Sequence, residues 1–414
     1  LLPKKLNAGQ FSLMSSAVRD ATDPSGDTYF IGMWGSGIFK WNRRLNEKEH
    51  FHQGNSGLAS NGIFCMMQDR RGFIWAGAYD VVSRLDPRTG KWRSWRIWAK
   101  RNNTNNAILS CIEDRQGGLW FGGNRSGLFR YNPATDQIED VTLPPEAYTP
   151  NGRLYVYNMS LDRQGRIWLA TRHHPVLFDP ETGKTQVFKV EKGKEDYNLW
   201  ESVVVAATGK LYVCSRECLL ELDSACNVLR IFNTENGLRS RFPGKLVEDH
   251  LGRIWFTSTY LLHCFDPETG KFNYYGTADG LFKNTMTDAL VKLPNGEIFV
   301  GFQDAFNYFD PVKMRRNGMP PPVAFTAFKV MDKERKPVMR SVRQFNRGFF
   351  SSKNQSRQLD SVLVLNPGEN IFTIEFAALN FIQPERNRFA YRLEGFSDQW
   401  TETHLNFATY TNLD

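Results

Sequence analysis

The sequence predicts an all-β protein, a seven-bladed β-propeller followed by an incomplete immunoglobulin-like β-sandwich. Three observations carry that expectation. A glycine–aromatic motif recurs in phase seven times, a proline–glycine turn divides many of the repeats, and the repeat stops at a run of prolines.

The motif is clearest in four copies of the form D-x-x-G-x-[IL]-W, which run from Asp69 to Trp75, Asp114 to Trp120, Asp162 to Trp168 and Asp249 to Trp255. Three weaker copies keep the glycine and an aromatic in register: Gly26 with Tyr29, Gly209 with Tyr212 and Gly296 with Phe299. The seven glycines are spaced by 46, 45, 48, 44, 43 and 44 residues. Chance does not hold such a phase, and a period of this length is the mark of a propeller.

Each copy has a second half. An apolar run follows the aromatic, then a polar turn: Asp86-Pro87-Arg88-Thr89-Gly90, Asp179-Pro180-Glu181-Thr182-Gly183 and Asp266-Pro267-Glu268-Thr269-Gly270. Asn132-Pro133 and Asp310-Pro311 begin partial versions. In such turns Asp bonds to backbone two residues on, Pro presets φ and Gly supplies a positive φ. Each repeat therefore holds four short strands; in the third they are expected over 109–113, 119–122, 128–131 and 137–141. A four-stranded sheet this short cannot bury both faces alone, so the sheets stack radially with the Trp of each second strand wedged between blades.

The seventh repeat lacks a clear fourth strand. Residues 1–10 offer a short candidate, and the alternative is a strand upstream of Leu1. The propeller is assigned to 1–318 and the second domain to 319–414, after Pro320-Pro321-Pro322. There, strands are expected over 323–330, 370–377, 389–396 and 403–411, with a polar loop over 340–361. Several short strands in about 90 residues suggest the sandwich, and one or two more would follow Asp414.

The D-x-x-G-x-[IL]-W repeat with its D-P-x-T-G turn resembles the two-component regulator propeller repeat. The tail resembles the triple-tyrosine sandwich domain that follows such propellers, through Asn370 to Phe376, Tyr391-Arg392-Leu393-Glu394-Gly395, Trp400 and Tyr410-Thr411-Asn412-Leu413. The resemblance implies the periplasmic part of an inner-membrane receptor, a hybrid two-component system of the kind found in Bacteroidetes. It further implies a carbohydrate ligand, a second propeller in the same chain, a homodimer, and a histidine kinase whose output is transcription of polysaccharide-utilisation genes. This chain shows one propeller, a truncated sandwich and no signalling module.

Other classes find less support. The net charge is +8 and the pI near 9.1, but no run of five basic residues occurs, so the charge reads as a solvated surface and no nucleic-acid contact is expected. The six Cys form no paired C-x-x-C pattern; Cys214 and Cys218 could bridge across one hairpin, though buried thiols are the simpler reading. No apolar stretch is long enough to span a membrane. The start lacks a signal peptide and an initiator Met, so the chain reads as an interior piece.

No catalytic constellation, cofactor motif or metal-ligand set is found, and the fragment is expected not to be an enzyme. The motif aspartates read as turn caps, and His173-His174 as a solvated pair without a third ligand. The loops between second and third strands share one face with the inter-blade loops, and these longer loops are where binding groups gather. Candidate ligand-binding residues there are Trp34, Tyr79, Asn124, Arg125, Arg172, His173, Tyr260 and Gln303, with Trp98, Arg101, Asn102 and Trp200 on inter-blade loops. Aromatic rings suit the apolar faces of sugars, and Asn, Gln and Arg suit their hydroxyls. A ligand that prefers one arrangement of the receptor would shift it toward that arrangement. The rival readings are a protein-interaction scaffold and a sugar-active propeller enzyme.

Overall fold

The computed structural model describes residues 2–5, 12–97, 106–190, 199–241, 243–282, 286–314, 322–331, 337–340, 371–378, 389–403 and 405–411. The chain forms two compact units, Leu1–Met314 and Arg315–Asp414.

The first unit contains seven four-stranded antiparallel sheets. Their first strands are Leu13–Arg19, Cys65–Gln68, Ile108–Glu113, Val156–Leu161, Ser202–Val205, Leu246–Glu248 and Met286–Lys292. Each first strand lies against that of the next blade, and the seventh lies against the first, so the ring is closed around a central channel. The third blade comprises Ile108–Glu113, Leu119–Gly123, Gly127–Asn132 and Gln137–Val141, which matches the sequence expectation to within one residue at each end.

Burial follows position in the blade. Second strands such as Ile74–Gly77, Ile167–Thr171 and Ile254–Thr257 are buried throughout, because neighbouring blades cover both faces. The outermost strand of the second blade, Lys91–Arg96, is largely exposed and rich in cations, which discourages edge pairing with other chains. The apolar clusters cross blade boundaries: Trp75, Val82 and Trp95 of blade 2 pack with Phe121, Phe129 and Tyr131 of blade 3.

The repeat motif is a hydrogen-bonded unit. In Asp69, Oδ1 accepts from the backbone N–H of Arg71 and Phe73, while Oδ2 accepts from Trp75 Nε1 at 2.9 Å. Asp114 does the same for Gln116, Gly118 and Trp120. The glycine between them turns at positive φ, +91° at Gly72 and +73° at Gly252, a conformation other residues reach only with strain. In blades 5 and 7 the aromatic is Tyr212 or Phe299, which have no indole N–H, and the aspartate position holds Ala206 or Leu293. Tyr29 instead donates its hydroxyl to Glu297 of blade 7 at 3.0 Å.

The seventh blade is completed by Leu2–Lys5, which runs antiparallel to Ala305–Phe309 with Leu2 opposite Tyr308 and Lys5 opposite Ala305. A strand upstream of Leu1 is therefore not needed to close it. Pro3 is accommodated because this is the outer edge, where one side of the strand has no ladder to sustain. Cys214 and Cys218 are both buried thiols, unbridged.

In the second unit, Val323–Met331 pairs with Pro337–Arg340 on one side and Phe372–Ala378 on the other, and the latter pairs with Phe407–Tyr410. Phe389–Tyr391 and Thr401–Thr403 form a separate two-stranded sheet. Phe328, Val330 and Phe372 form a small core with Ile374, Leu393 and Tyr410 packed against it. The expected strand over 389–396 stops at Tyr391, because Phe396 N–H turns back to Leu393 O and Gly395 adopts φ +81°. The expected strand over 403–411 is divided by a turn in which Leu405 N–H bonds to Thr403 Oγ1. Most of the polar loop expected over 340–361 lies outside the described residues.

Candidate functional site

The first and second strands of each blade are antiparallel, so the start of one meets the end of the other. Leu13 stands opposite Trp34, and Ser202 opposite Cys214. At this end of the channel the structure holds a cavity of about 570 Å³. Its wall comes from the starts of first strands all round the ring, including Ser15, Phe64, Leu109, Tyr157, Lys245 and Thr287, together with Trp34 and Glu201. This is the loop-rich end, the one the strand order singles out.

The wall mixes apolar and polar groups. Trp34 is 39% exposed and lines the cavity. Tyr79, also at the loop-rich end, meets Phe64 edge-on at 4.7 Å between centroids. Glu201 is the sole carboxylate among the described lining residues, and Lys245 the sole cation. Burial raises the Tyr157 phenol above its usual range, opposed by the charge of Arg172 and reinforced by Tyr155 and Glu201. Lower in the channel the Cys111 thiol is raised well above its usual range, first by its hydrogen bond to Cys65 and then by burial, with Lys245 opposing.

Beside Tyr157 lies a second group. The Arg172 guanidinium sits 5.2 Å from the centroid of the Tyr155 ring, and the Tyr155 and Tyr157 rings are 6.1 Å apart. Burial raises the Tyr155 phenol, but a hydrogen bond from Arg153 and the charges of Arg125, Arg172 and Arg153 outweigh it and bring it below the usual range. Arg125 is held at the tip of its turn by backbone at φ +68°.

The sequence candidates thus separate. Trp34 lines the cavity, Tyr79 reaches it through Phe64, and Arg125 and Arg172 converge on Tyr155. Gln303 bridges to Leu13 at the cavity edge. Asn124 occupies the same turn as Arg125, with its N–H on Ala107 O. His173 packs on His174, ring centroids 4.0 Å apart, and Tyr260 stands 74% exposed. Trp200 is fully buried against Trp168 and belongs to the core rather than the loop face. Trp98, Arg101 and Asn102 lie outside the described residues.

Sequence reasoning passed over Arg153, Tyr155, Tyr157, Glu201 and Lys245. All lie within four residues of the start of a first strand, and the signal was their phase: polar groups recurring where the repeat enters the channel.

Comparison with known proteins places these features. The two component regulator propeller model matches residues 57–80 and 103–125, and the Y_Y_Y domain model matches 380–414. A curated relative, histidine kinase P4 of Formosa agariphila, is 22% identical over 403 residues; the match covers 92% of this chain, which spans 28% of that protein. The extracellular domain of a hybrid two-component system of B. thetaiotaomicron aligns with a TM-score of 0.71 at 18% identity, covering 100% of this chain and 54% of that one. The virginiamycin B lyase of Staphylococcus aureus aligns with a TM-score of 0.57 at 12% identity, over 73% of this chain and 96% of that one. The last two likenesses speak to fold. What the chain itself carries is the propeller repeat of two-component regulators, followed by a Y_Y_Y domain.

Proposed function

We propose that this chain is the ligand-sensing, extracytoplasmic region of a membrane-anchored two-component receptor. An oligosaccharide enters the cavity at the loop-rich end of the propeller, and the Y_Y_Y domain relays its binding to a histidine kinase that controls polysaccharide-utilisation genes. The receptor works as a homodimer, with a second propeller in the same chain. The observation that carries this reading is the cavity of about 570 Å³, large enough for a small oligosaccharide and lined by aromatic rings, hydroxyls, one acidic and one basic side chain. Repeats typical of two-component regulators and a relative named as a histidine kinase support the signalling role.

Binding would act by preference. A sugar held more tightly in one arrangement of the receptor shifts its population by the difference in affinity, and by no more than that. The test is a thermal-shift screen of the protein against neutral and acidic oligosaccharides. A sugar present at about a hundred times its dissociation constant adds roughly 2.7 kcal/mol of stability, a clear rise in midpoint. If no sugar in a broad panel raises the midpoint of the folded protein, the sensing role of this propeller is lost.

A further inference from the structure

At the hairpin end Arg43 pairs with Glu297 at 2.6 Å, Arg70 with Glu113 at 3.0 Å, Arg71 with Asp69 at 3.0 Å, and Arg166 and Arg253 with their motif aspartates at 2.7 Å. Each of these cations is neutralised where it stands. At the loop-rich end Arg241 likewise pairs with Glu217, at 3.7 Å, whereas Arg125, Arg153, Arg172 and Lys245 have no ion pair among the described residues, and three of these four act together on one phenol.

We propose that this face recognises an anion, and that the oligosaccharide it takes carries carboxylate or sulfate groups held by Arg125, Arg153, Arg172 and Lys245. This rests on the oligosaccharide reading of the cavity and names the class of sugar. Arg125, Arg153 and Arg172, gathered about one phenol, repel one another, an arrangement that is relieved when an anion binds. Guanidinium groups offer paired N–H donors that match the two oxygens of a carboxylate or sulfate.

The placement suits a chain of sugars better than a single small anion. Lys245 lies in the cavity wall at the start of the sixth blade's first strand, and Tyr157 lies in the same wall from the fourth blade. Arg172 stands over Tyr155 and acts on Tyr157, so the basic group extends outward from the cavity along the fourth blade. Arg125 reaches the same place from the third blade. One anionic group would meet Lys245 inside, and a second would meet the arginines at the rim. Trp34 and Phe64 then offer apolar faces to the ring between them. Glu201 is the wall's carboxylate, suited to accept from sugar hydroxyls.

The test uses matched ligands on the whole chain. Carboxylated and sulfated oligosaccharides are titrated by calorimetry, each beside its carboxyl-reduced or desulfated counterpart, with inorganic sulfate as a separate arm. The expected result is that an acidic member binds and its neutral counterpart binds at least about tenfold more weakly, the worth of one charge-assisted contact. Affinity should fall as salt rises from about 50 to 500 mM, because the contacts are partly exposed and screened. Arg172→Gln and Lys245→Gln should each weaken the acidic sugar about tenfold more than they weaken its neutral counterpart. Neutral sugars that bind as tightly as their acidic partners would overturn the anion inference and leave the oligosaccharide reading standing. Sulfate alone competing at equal affinity would overturn the saccharide as the source of the anion. Failure of every sugar, acidic and neutral, would remove both.

Discussion

Asp249 Oδ2 accepts a 2.7 Å hydrogen bond from the indole N–H of Trp255, while Oδ1 of the same carboxylate takes the backbone N–H groups of Leu251 and Arg253. A single buried side chain thus caps the hairpin and fixes the ring that fills the gap between blades. Asp and Trp are one device: the turn needs an acceptor, the buried indole needs an acceptor, and six residues of chain bring both to one carboxylate. Arg253 Nε closes the unit at 2.7 Å and offsets the cost of burying the charge.

Replacing Asp249 by Ala should therefore cost more than an ordinary turn substitution. It strands the N–H groups of Leu251 and Arg253 and the indole N–H of Trp255, at roughly 1–3 kcal/mol for each buried group left unpaired. We expect a total of about 3 kcal/mol, read as a lower denaturant midpoint. Trp255→Phe should cost about 1–2 kcal/mol, and the double variant less than the sum, because both changes remove the same bond.

Removing residues 1–5 should open the ring at its seam. Ala305–Phe309 loses its antiparallel partner and becomes an unpaired edge. Hydrogen exchange should show lost protection at amides of residues 305–309 while Ile167–Thr171, on the far side of the ring, stays protected. Unchanged exchange at 305–309 would mean that the strand contributes little to closure.

His263 predicts a pH dependence. Its ring stacks on Phe256 at 4.7 Å and is fully buried, and burial brings its pKa down to about 4 from 6.5. The unfolded chain then binds a proton that the folded protein refuses, so stability is unaffected above about pH 6.5 and falls as pH drops from there toward about 4. Between pH 7 and pH 5 the loss should be on the order of 2 kcal/mol. His263→Phe should flatten that part of the stability–pH curve, measured by urea unfolding at each pH.

Two aromatic candidates separate the cavity from the rim. Trp34→Ala should weaken the sugar ligand by about tenfold, the worth of one stacked ring. Tyr260→Ala, at a ring that is 74% exposed, should leave affinity within about twofold. Equal effects would move binding off the channel mouth.

The sequence by itself determined the number of blades and the strand order within them, because every signal involved is local. The Gly72 and Gly252 turns, the Asp69–Trp75 and Asp249–Trp255 spacing and the D-P-x-T-G corners each act over fewer than ten residues and recur. It also determined which end of the propeller carries the long loops, since antiparallel strands alternate ends. The tertiary structure decided what no local pattern encodes. Leu2–Lys5 closes the blade made by residues some 300 positions away, a pairing that ring geometry selects from a short segment with little strand character. It sent Trp200 into the core, because Trp168 of the preceding blade waits there. It brought Tyr157, Glu201 and Lys245 from three blades to one cavity. Each is unremarked in its own repeat, and only closure of the ring makes them neighbours.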